Sequence, residues 1–333
     1  MNKQIIVSLL AMMSFASCSV ISYVPVQYEV LLPAYYTMPS NIDSIVVVNG
    51  LYDFKYNDVT LTVADTALKV KQEKFLKRIT SLVCNVVRDG MEKSGYISAK
   101  MDLRIMSPLY VEMKVDSLCR AHGVDAVMVL SDANYKALAK YNPYDVNLLK
   151  TILDCKFDIY TSRGKKISLE QVKDSIIWPC YDEYGLVEFP LPDYKEVYFY
   201  TAQKVGEKVV DQLCPGWSVK NRNILVTNER VFMDAAQWLK QGEWEQAKNL
   251  WIKEYGNDNM RNRIIASINM AMYNEYMDNV EEAIKWSCEA MDLIDANPKI
   301  KMKEERAIAN SIFKDLMIRK QELDILSKQM RNK

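Results

Sequence analysis

Residues 118–130 read Leu-Cys-Arg-Ala-His-Gly-Val-Asp-Ala-Val-Met-Val-Leu, and this stretch decides the fold of the first half of the chain. Val115 to His122 has the spacing of a short helix, and Gly123 stands just past its end, where a left-handed residue is needed and glycine has no Cβ to clash. Val124 to Leu130 is an apolar run too short for a helix and bounded by a turn, which is the pattern of a strand buried on both faces. A second such run lies upstream at Ile42 to Asn49 (IDSIVVVN), closed by the turn pair Asn49-Gly50. Between the two, Leu68 to Met91 has helical spacing at Leu68, Phe75, Leu76, Ile79, Leu82, Val83, Val86 and Val87, with Gly90 and Gly95 bracketing its end. Tyr96 to Ile105 suits a strand, and residues 51–65 read as a loop. Strand, helix, strand, helix, strand is the order of an α/β sheet with crossover connections.

Downstream, residues 151–161 (TILDCKFDIYT) alternate, Ser162 to Lys165 is a turn with Gly164, and Lys166 to Trp178 is the returning strand of a hairpin. Asp193 opens a helix that Cys214-Pro215-Gly216 ends. The expectation is an α/β domain of three-layer type over 41–215, a linker over 216–228 and an all-α region over 229–333. Residues 18–40, with Pro25, Pro33 and Pro39, read as an extended tether, because proline excludes a helix there.

The all-α region repeats. Gln241-Gly242-Glu243-Trp244-Glu245-Gln246-Ala247 aligns with Met277-Asp278-Asn279-Val280-Glu281-Glu282-Ala283 at an offset of 36 residues. Gly242 and Asp278, the small Ala247 and Ala283, and Asn269-Met270-Ala271 resemble the tetratricopeptide repeat, whose usual period is 34. The terminal proline of that family is unaligned in both copies, and Pro298 lies close by. A last helix at about 304–330, with Ile312, Leu316, Leu323, Leu326 and Met330 on one seam, caps the array. Residues 299–333 hold ten basic and five acidic groups, which a solvated helix face, an anionic lipid or an acidic partner would each accommodate. The resemblance implies a concave groove for a protein or peptide, and Trp238, Trp244, Trp251, Tyr273 and Trp286 are its candidate contacts, each weighed against a place in the core.

At the amino terminus, Lys3 precedes an apolar run from Ile5 to Ala16, 12 residues long, against about 20 for a membrane span. Ala16-Ser17-Cys18 after that run resembles the lipobox of bacterial lipoproteins, although Phe15 stands where leucine is usual. The alternative is a plain signal peptide beside a spectator cysteine. The resemblance implies that residues 1–17 are removed and Cys18 is acylated, anchoring the chain to a membrane. No Asp or Glu follows in Ser19-Val20-Ile21-Ser22. An acidic cluster there resembles the surface-export signal of Bacteroidota lipoproteins, so the expected place is the outer membrane, facing the periplasm.

Composition narrows the chemistry. Lys and Arg number 43 and Asp and Glu 43, so nothing marks a nucleic-acid binder. The 333 residues hold one histidine, which excludes any multi-His metal site. His122 at a helix end reads as a complement to the helix dipole, with a Cys119–His122 couple as the remote alternative. No phosphate-loop, dinucleotide or metalloprotease motif is present, and no catalytic residue, cofactor or metal is assigned. Asp182 and Glu183, between Tyr181 and Tyr184, read as an exposed loop. Beyond Cys18, the cysteines at 84, 119, 155, 180, 214 and 288 contain no CxxC and read mainly as buried thiols, with Cys180–Cys214 the pair to inspect for a bridge.

The order of elements resembles the α/β domains of the Tol-Pal translocation protein and the curli-secretion lipoprotein. The opening Leu32-Pro33-Ala34, Pro39, Ile42, Ile45 and Val47-Val48-Asn49 resembles a family of uncharacterised Bacteroidota lipoproteins. These readings lead to a non-enzymatic, lipid-anchored adaptor. A structural subunit of an envelope assembly and an envelope-polymer hydrolase are the alternatives.

Overall fold

The computed structural model describes residues 21–51, 59–63, 66–70, 72–140, 147–180, 193–299 and 301–331. The chain forms two compact units, one of residues 33–216 with 326–333 and one of residues 1–32 with 217–325.

The first of these is the α/β unit. Its main sheet contains β2 (Ser44–Asn49), β5 (Ser98–Ile105), β6 (Ala126–Lys140), β7 (Asn147–Thr161), β8 (Lys166–Ser168) and β9 (Val172–Cys180). The order is β5-β2-β6-β7-β8, and β9 also pairs with β7. β2 runs parallel to β5 and β6, while β6 to β9 are antiparallel. A small hairpin, β3 (Val59–Val63) and β4 (Thr66–Val70), falls partly in the residues read as a loop (51–65) and takes Leu68 to Val70 from the expected helix. Two five-residue strands are too short to leave a periodic signal in the sequence.

Three helices cover the sheet. These are α1 (Gln72–Ser94), α2 (Pro108–His122) and α3 (Tyr194–Leu213). The chain steps from β2 to β5 in one direction and from β5 past β2 to β6 in the other. Crossovers of one hand in opposite directions require helices on opposite faces, and the core divides accordingly. Ile45, Val47, Met128 and Leu130 point into the cluster with α1 and α3, while Val46, Val48, Val127 and Val129 point into the cluster with α2. All eight are fully buried, and burying a side chain of this kind contributes about 1.5–3 kcal/mol. The apolar runs seen in the sequence thus are strands covered on both sides.

Helix ends follow local chemistry. Ser107 caps α2 by accepting from the Tyr110 N–H at 3.3 Å, with Pro108 in the first turn, and Gly123 closes it at φ 59°. Asp193 caps α3 by accepting from the Lys195 N–H at 2.9 Å. Gly90 does not end α1, which continues to Ser94. It lets α3 approach: a Cβ on Gly90 would lie 2.7 Å from Val210 Cγ2, and one on Gly206 of α3 would lie 2.5 Å from Val86 Cγ1.

The second unit pairs a two-stranded ribbon with five helices. β1 (Ser22–Leu32) pairs with β10 (Gly216–Val226). Ser22 Oγ donates to the Val226 carbonyl and Gln27 Nε2 donates to Asn221 Oδ1, so the strands are antiparallel. Residues 22–32 of the expected tether (18–40) and 216–226 of the expected linker (216–228) are therefore strand. Pro25 fits because both strands of a ribbon are edges. In β10 the half-buried face carries Ser218, Lys220 and Arg222 while Trp217 and Val219 are exposed, an inversion that hides the strand period. The helices are α4 (Arg230–Lys240), α5 (Trp244–Tyr255), α6 (Met260–Tyr276), α7 (Val280–Ala296) and α8 (Lys303–Arg331), whose residues beyond 325 belong to the other unit.

The offset of 36 is a structural repeat of turns. Gly242 has φ 80° and Asp278 φ 56°. The N–H groups of Gly242 and Glu243 donate to the carbonyls of Leu239 and Trp238; those of Asp278 and Asn279 donate to Glu275 and Asn274. Both are the same left-handed helix stop with paired bonds. Ala247 and Ala283 are completely buried. At Trp251 and Ser287, where the alignment weakens, the reason is packing. Trp251 fills the core, while Ser287 is small and donates to the Ala309 carbonyl of α8 at 3.0 Å.

Candidate interaction surface

Helix α6 is the centre of the helical unit. Asn262 and every residue from Ile264 to Glu275 are buried. A groove lined by this helix would need one open face, and the β1–β10 ribbon occupies it. The buried Asn269 side chain accepts from the Leu225 N–H at 2.9 Å and donates to the Leu225 carbonyl at 2.8 Å. One amide thus satisfies both backbone groups of a strand residue, which reads extended backbone without regard to side chain. Farther along β10, Arg222 Nε and Nη2 donate to Glu275 at 2.7 and 2.8 Å, and Nη1 donates to Asp315 of α8 at 2.7 Å. Arg222 and Glu275 are nearly inaccessible, so each charge depends on the other. Burial lowers the Arg222 pKa, and the paired carboxylates of Glu275 and Asp315 together overcome it and raise the pKa. Burial, then the charge of Glu275, raises the pKa of Tyr28 of β1.

The five aromatic candidates divide. Trp251 is fully buried and Tyr273 nearly so, so both lie in the core and not at the surface. The Tyr273 hydroxyl donates to Glu245, and Lys248 Nζ lies 5.1 Å from its ring centroid. Trp286 is half-buried, edge-on to Tyr255. Trp238 and Trp244 reach the surface. Trp244 stacks on Tyr276 with centroids 4.1 Å apart, and Tyr276 meets Tyr28 edge-on at 5.7 Å. Trp238 accepts through its carbonyl from Glu243, the residue before Trp244. Trp238, Tyr276 and the turn residue Met277 are 39%, 38% and 52% exposed. At the two equivalent turns Trp238, Trp244, Tyr276 and Met277 thus reach the surface, forming an edge in which the Trp244 and Tyr276 rings are in contact. The sequence set missed Tyr276 and Met277; their signal was the offset itself, which places them beside the second turn.

In the α/β unit the described acid-base groups cluster at the end of α2. His122 Nε2 lies 2.9 Å from Asp102 Oδ2, and Asp102 also takes the Arg104 guanidinium. The Arg104 side chain, opposed by burial and aided by the Arg104 N–H and His122, holds the Asp102 carboxyl well below the usual range. Lys100 Nζ donates to the His122 carbonyl at 2.6 Å. This is a helix end tied to an edge strand. Burial pushes the Cys119 thiol up, the reverse of nucleophile activation. A polar cleft of about 600 Å³ between α2 and the β7–β8 turn is lined by Glu112, Lys114, Asp116, Arg120 and Arg163 among others.

Cys84, Cys119 and Cys155 are free and buried, Cys214 is buried, and Cys288 is free and half-buried; the Cys180 side chain, and with it the expected Cys180–Cys214 pair, lies outside those described. Burial pushes the Cys84 thiol up to about 12. Cys18 and residues 181–184 lie outside the described residues. Among the described residues, no group of three or more His, Cys, Asp or Glu is placed to hold a metal ion, and no helix is long and apolar enough to cross a membrane.

Residues 42–224 match a domain of unknown function (DUF8603) and residues 233–316 match a second one (DUF6340). No curated protein matches the chain. Among solved structures, a minor lipoprotein from Acinetobacter baumannii is similar at a TM-score of 0.27 and 8% identity, over 51% of this chain and 87% of that one. A likeness of that size carries no argument about fold or function.

Proposed function

The chain belongs to the family described as a domain of unknown function (DUF8603), and we propose that it is a lipid-anchored, non-enzymatic adaptor of the bacterial cell envelope. The observation that carries the adaptor reading is the aromatic edge at the two equivalent helix turns. Trp and Tyr dominate the energetics of protein interfaces, and a half-exposed cluster of them is the usual mark of one. The filled face of α6 moves the contact site from the groove to this edge. The repeated left-handed turns and the buried Ala247 and Ala283 support reading the hairpins as tetratricopeptide-like. The period of 36 departs from that family's by two residues. Ala16-Ser17-Cys18 supports the anchor, and the lack of acidic residues after Cys18 supports the periplasmic face of the outer membrane. The non-enzymatic reading draws on His122 and Asp102, which are engaged in holding a helix end.

A photo-crosslinking residue placed at 238 in cells tests the adaptor. A discrete protein adduct at 238, absent when the same residue replaces the buried Phe232, is the expected result. No adduct at 238, or the same smear at both positions, would refute it.

A further inference from the structure

We propose that the exposed face of α8 lies on an anionic bilayer surface beside the anchor, forming a second, electrostatic attachment. The proposal rests on the lipid-anchor reading and names the partner of the basic helix, which the adaptor role leaves unexplained.

Chain length sets the first constraint. β1 begins at Ser22, and only Ser19, Val20 and Ile21 separate it from Cys18. Four residue steps of fully extended chain reach about 14 Å at most. With the Cys18 sulfur held at the glycerol level of the bilayer, the start of the ribbon cannot leave the headgroup region by more than that.

The fold then fixes what lies beside this start. Tyr23, 46% exposed, lines a cavity of about 320 Å³ together with Met272 of α6 and Ile308, Ser311 and Ile312 of α8. Tyrosine is a residue of membrane interfaces, with an apolar ring and a wet hydroxyl. From Ser311 the outward face of α8 runs both ways. Lys303 stands two turns before it and Lys314 one turn after it, both exposed and without an ion pair among the described residues. Next on the same face come Met317 and Ile318, 40% and 56% exposed. Lys299 and Lys301 precede the helix and are also exposed. Glu304, seven residues before Ser311, is exposed on the same side and opposes one lysine, and Lys320 is drawn aside to Glu281. Lysines and apolar side chains on one solvent-facing helix stripe are what an interfacial helix presents to anionic lipid. One acyl-linked anchor combined with a basic patch is more durable than either part.

The test uses the full lipidated chain, reconstituted into phosphatidylcholine vesicles with or without phosphatidylglycerol. A membrane-impermeant amine-acylating reagent is applied, and each lysine is read by mass spectrometry. Lys303 and Lys314 are expected to react about fivefold more slowly when phosphatidylglycerol is present, the factor that about 1 kcal/mol per lysine near an anionic surface converts to. High salt should remove the protection, and Lys285 on α7 should be unaffected. Equal reactivity of Lys303 and Lys314 in both vesicle types overturns the proposal and leaves the anchor standing. The intact mass reports the anchor separately. A chain without acyl groups on Cys18 refutes the anchor, and this proposal with it.

Discussion

Replacing Asn269 by alanine removes the amide that holds β10 against α6. Both of its bonds to Leu225 are short, at 2.9 and 2.8 Å, and both residues are completely buried. The Leu225 N–H and carbonyl would be left without partners in a dry site, at about 1–3 kcal/mol each. Alanine returns about 0.6 kcal/mol in helix propensity, so the net loss is about 3 kcal/mol. Asn274→Ala is the matched control, because that side chain donates only to the Met270 carbonyl of its own helix, and its cost should be under about 1 kcal/mol. Urea unfolding followed by tryptophan fluorescence measures both, with a midpoint shift of about 2 M for a slope of about 1.5 kcal/mol/M. Native-state hydrogen exchange locates the effect. Amide protection in residues 217–226 should fall about a hundredfold in Asn269→Ala, while the α/β unit is unchanged. A loss below about 1 kcal/mol, or equal effects of the two variants, would refute the reasoning that the amide clamps the strand.

Other consequences are equally direct. Gly206→Ala should destabilise the α/β unit by about 1–3 kcal/mol, because the new Cβ would meet Val86 at 2.5 Å; a thermal melt that does not move contradicts that close approach. Asp102 has a depressed pKa, so the unfolded chain takes up its proton first and stability falls as the pH drops below about 5. In Asp102→Asn the pH dependence of urea stability over that acid range should be shallower, and an unchanged slope would exclude the role given to Arg104. Among Cys84, Cys119, Cys155, Cys214 and Cys288, Cys288 should be alkylated first in the native protein, since the other four are buried; early labelling of Cys84 or Cys155 would contradict their burial.

The α/β core was legible because its signals are local. Gly123 was expected in the left-handed position and has φ 59°, and the runs at 45–48 and 126–130 are strands buried on both faces. Long-range features were not legible. Nothing in residues 22–32 announces a partner nearly two hundred residues away, so β1 read as a tether and β10 as a linker. Gly90 read as a stop because its reason, Val210, lies on another helix. Tyr273 read as a surface candidate because helical spacing cannot tell a fully surrounded helix from a half-exposed one, and Trp251 because spacing alone does not say that the face it shares with Ala247 is the inward one. One signal was available: Asn269 stands among Ile264, Ile265, Ile268 and Met272, and a buried amide in such surroundings needs a partner. The spacing of the turns located the aromatic edge only in part, since the stacking of Trp244 on Tyr276 depends on two hairpins packing together.

The anchor is the premise shared by the cellular place, the adaptor role and the membrane face of α8. Mass spectrometry of the membrane-extracted protein after trypsin tests it most directly, because the peptide ending at Lys55 carries the mature amino terminus. The account predicts a peptide that starts at Cys18 and bears a diacylglyceryl group. An unmodified Cys18, or a chain that begins at another residue, would contradict it.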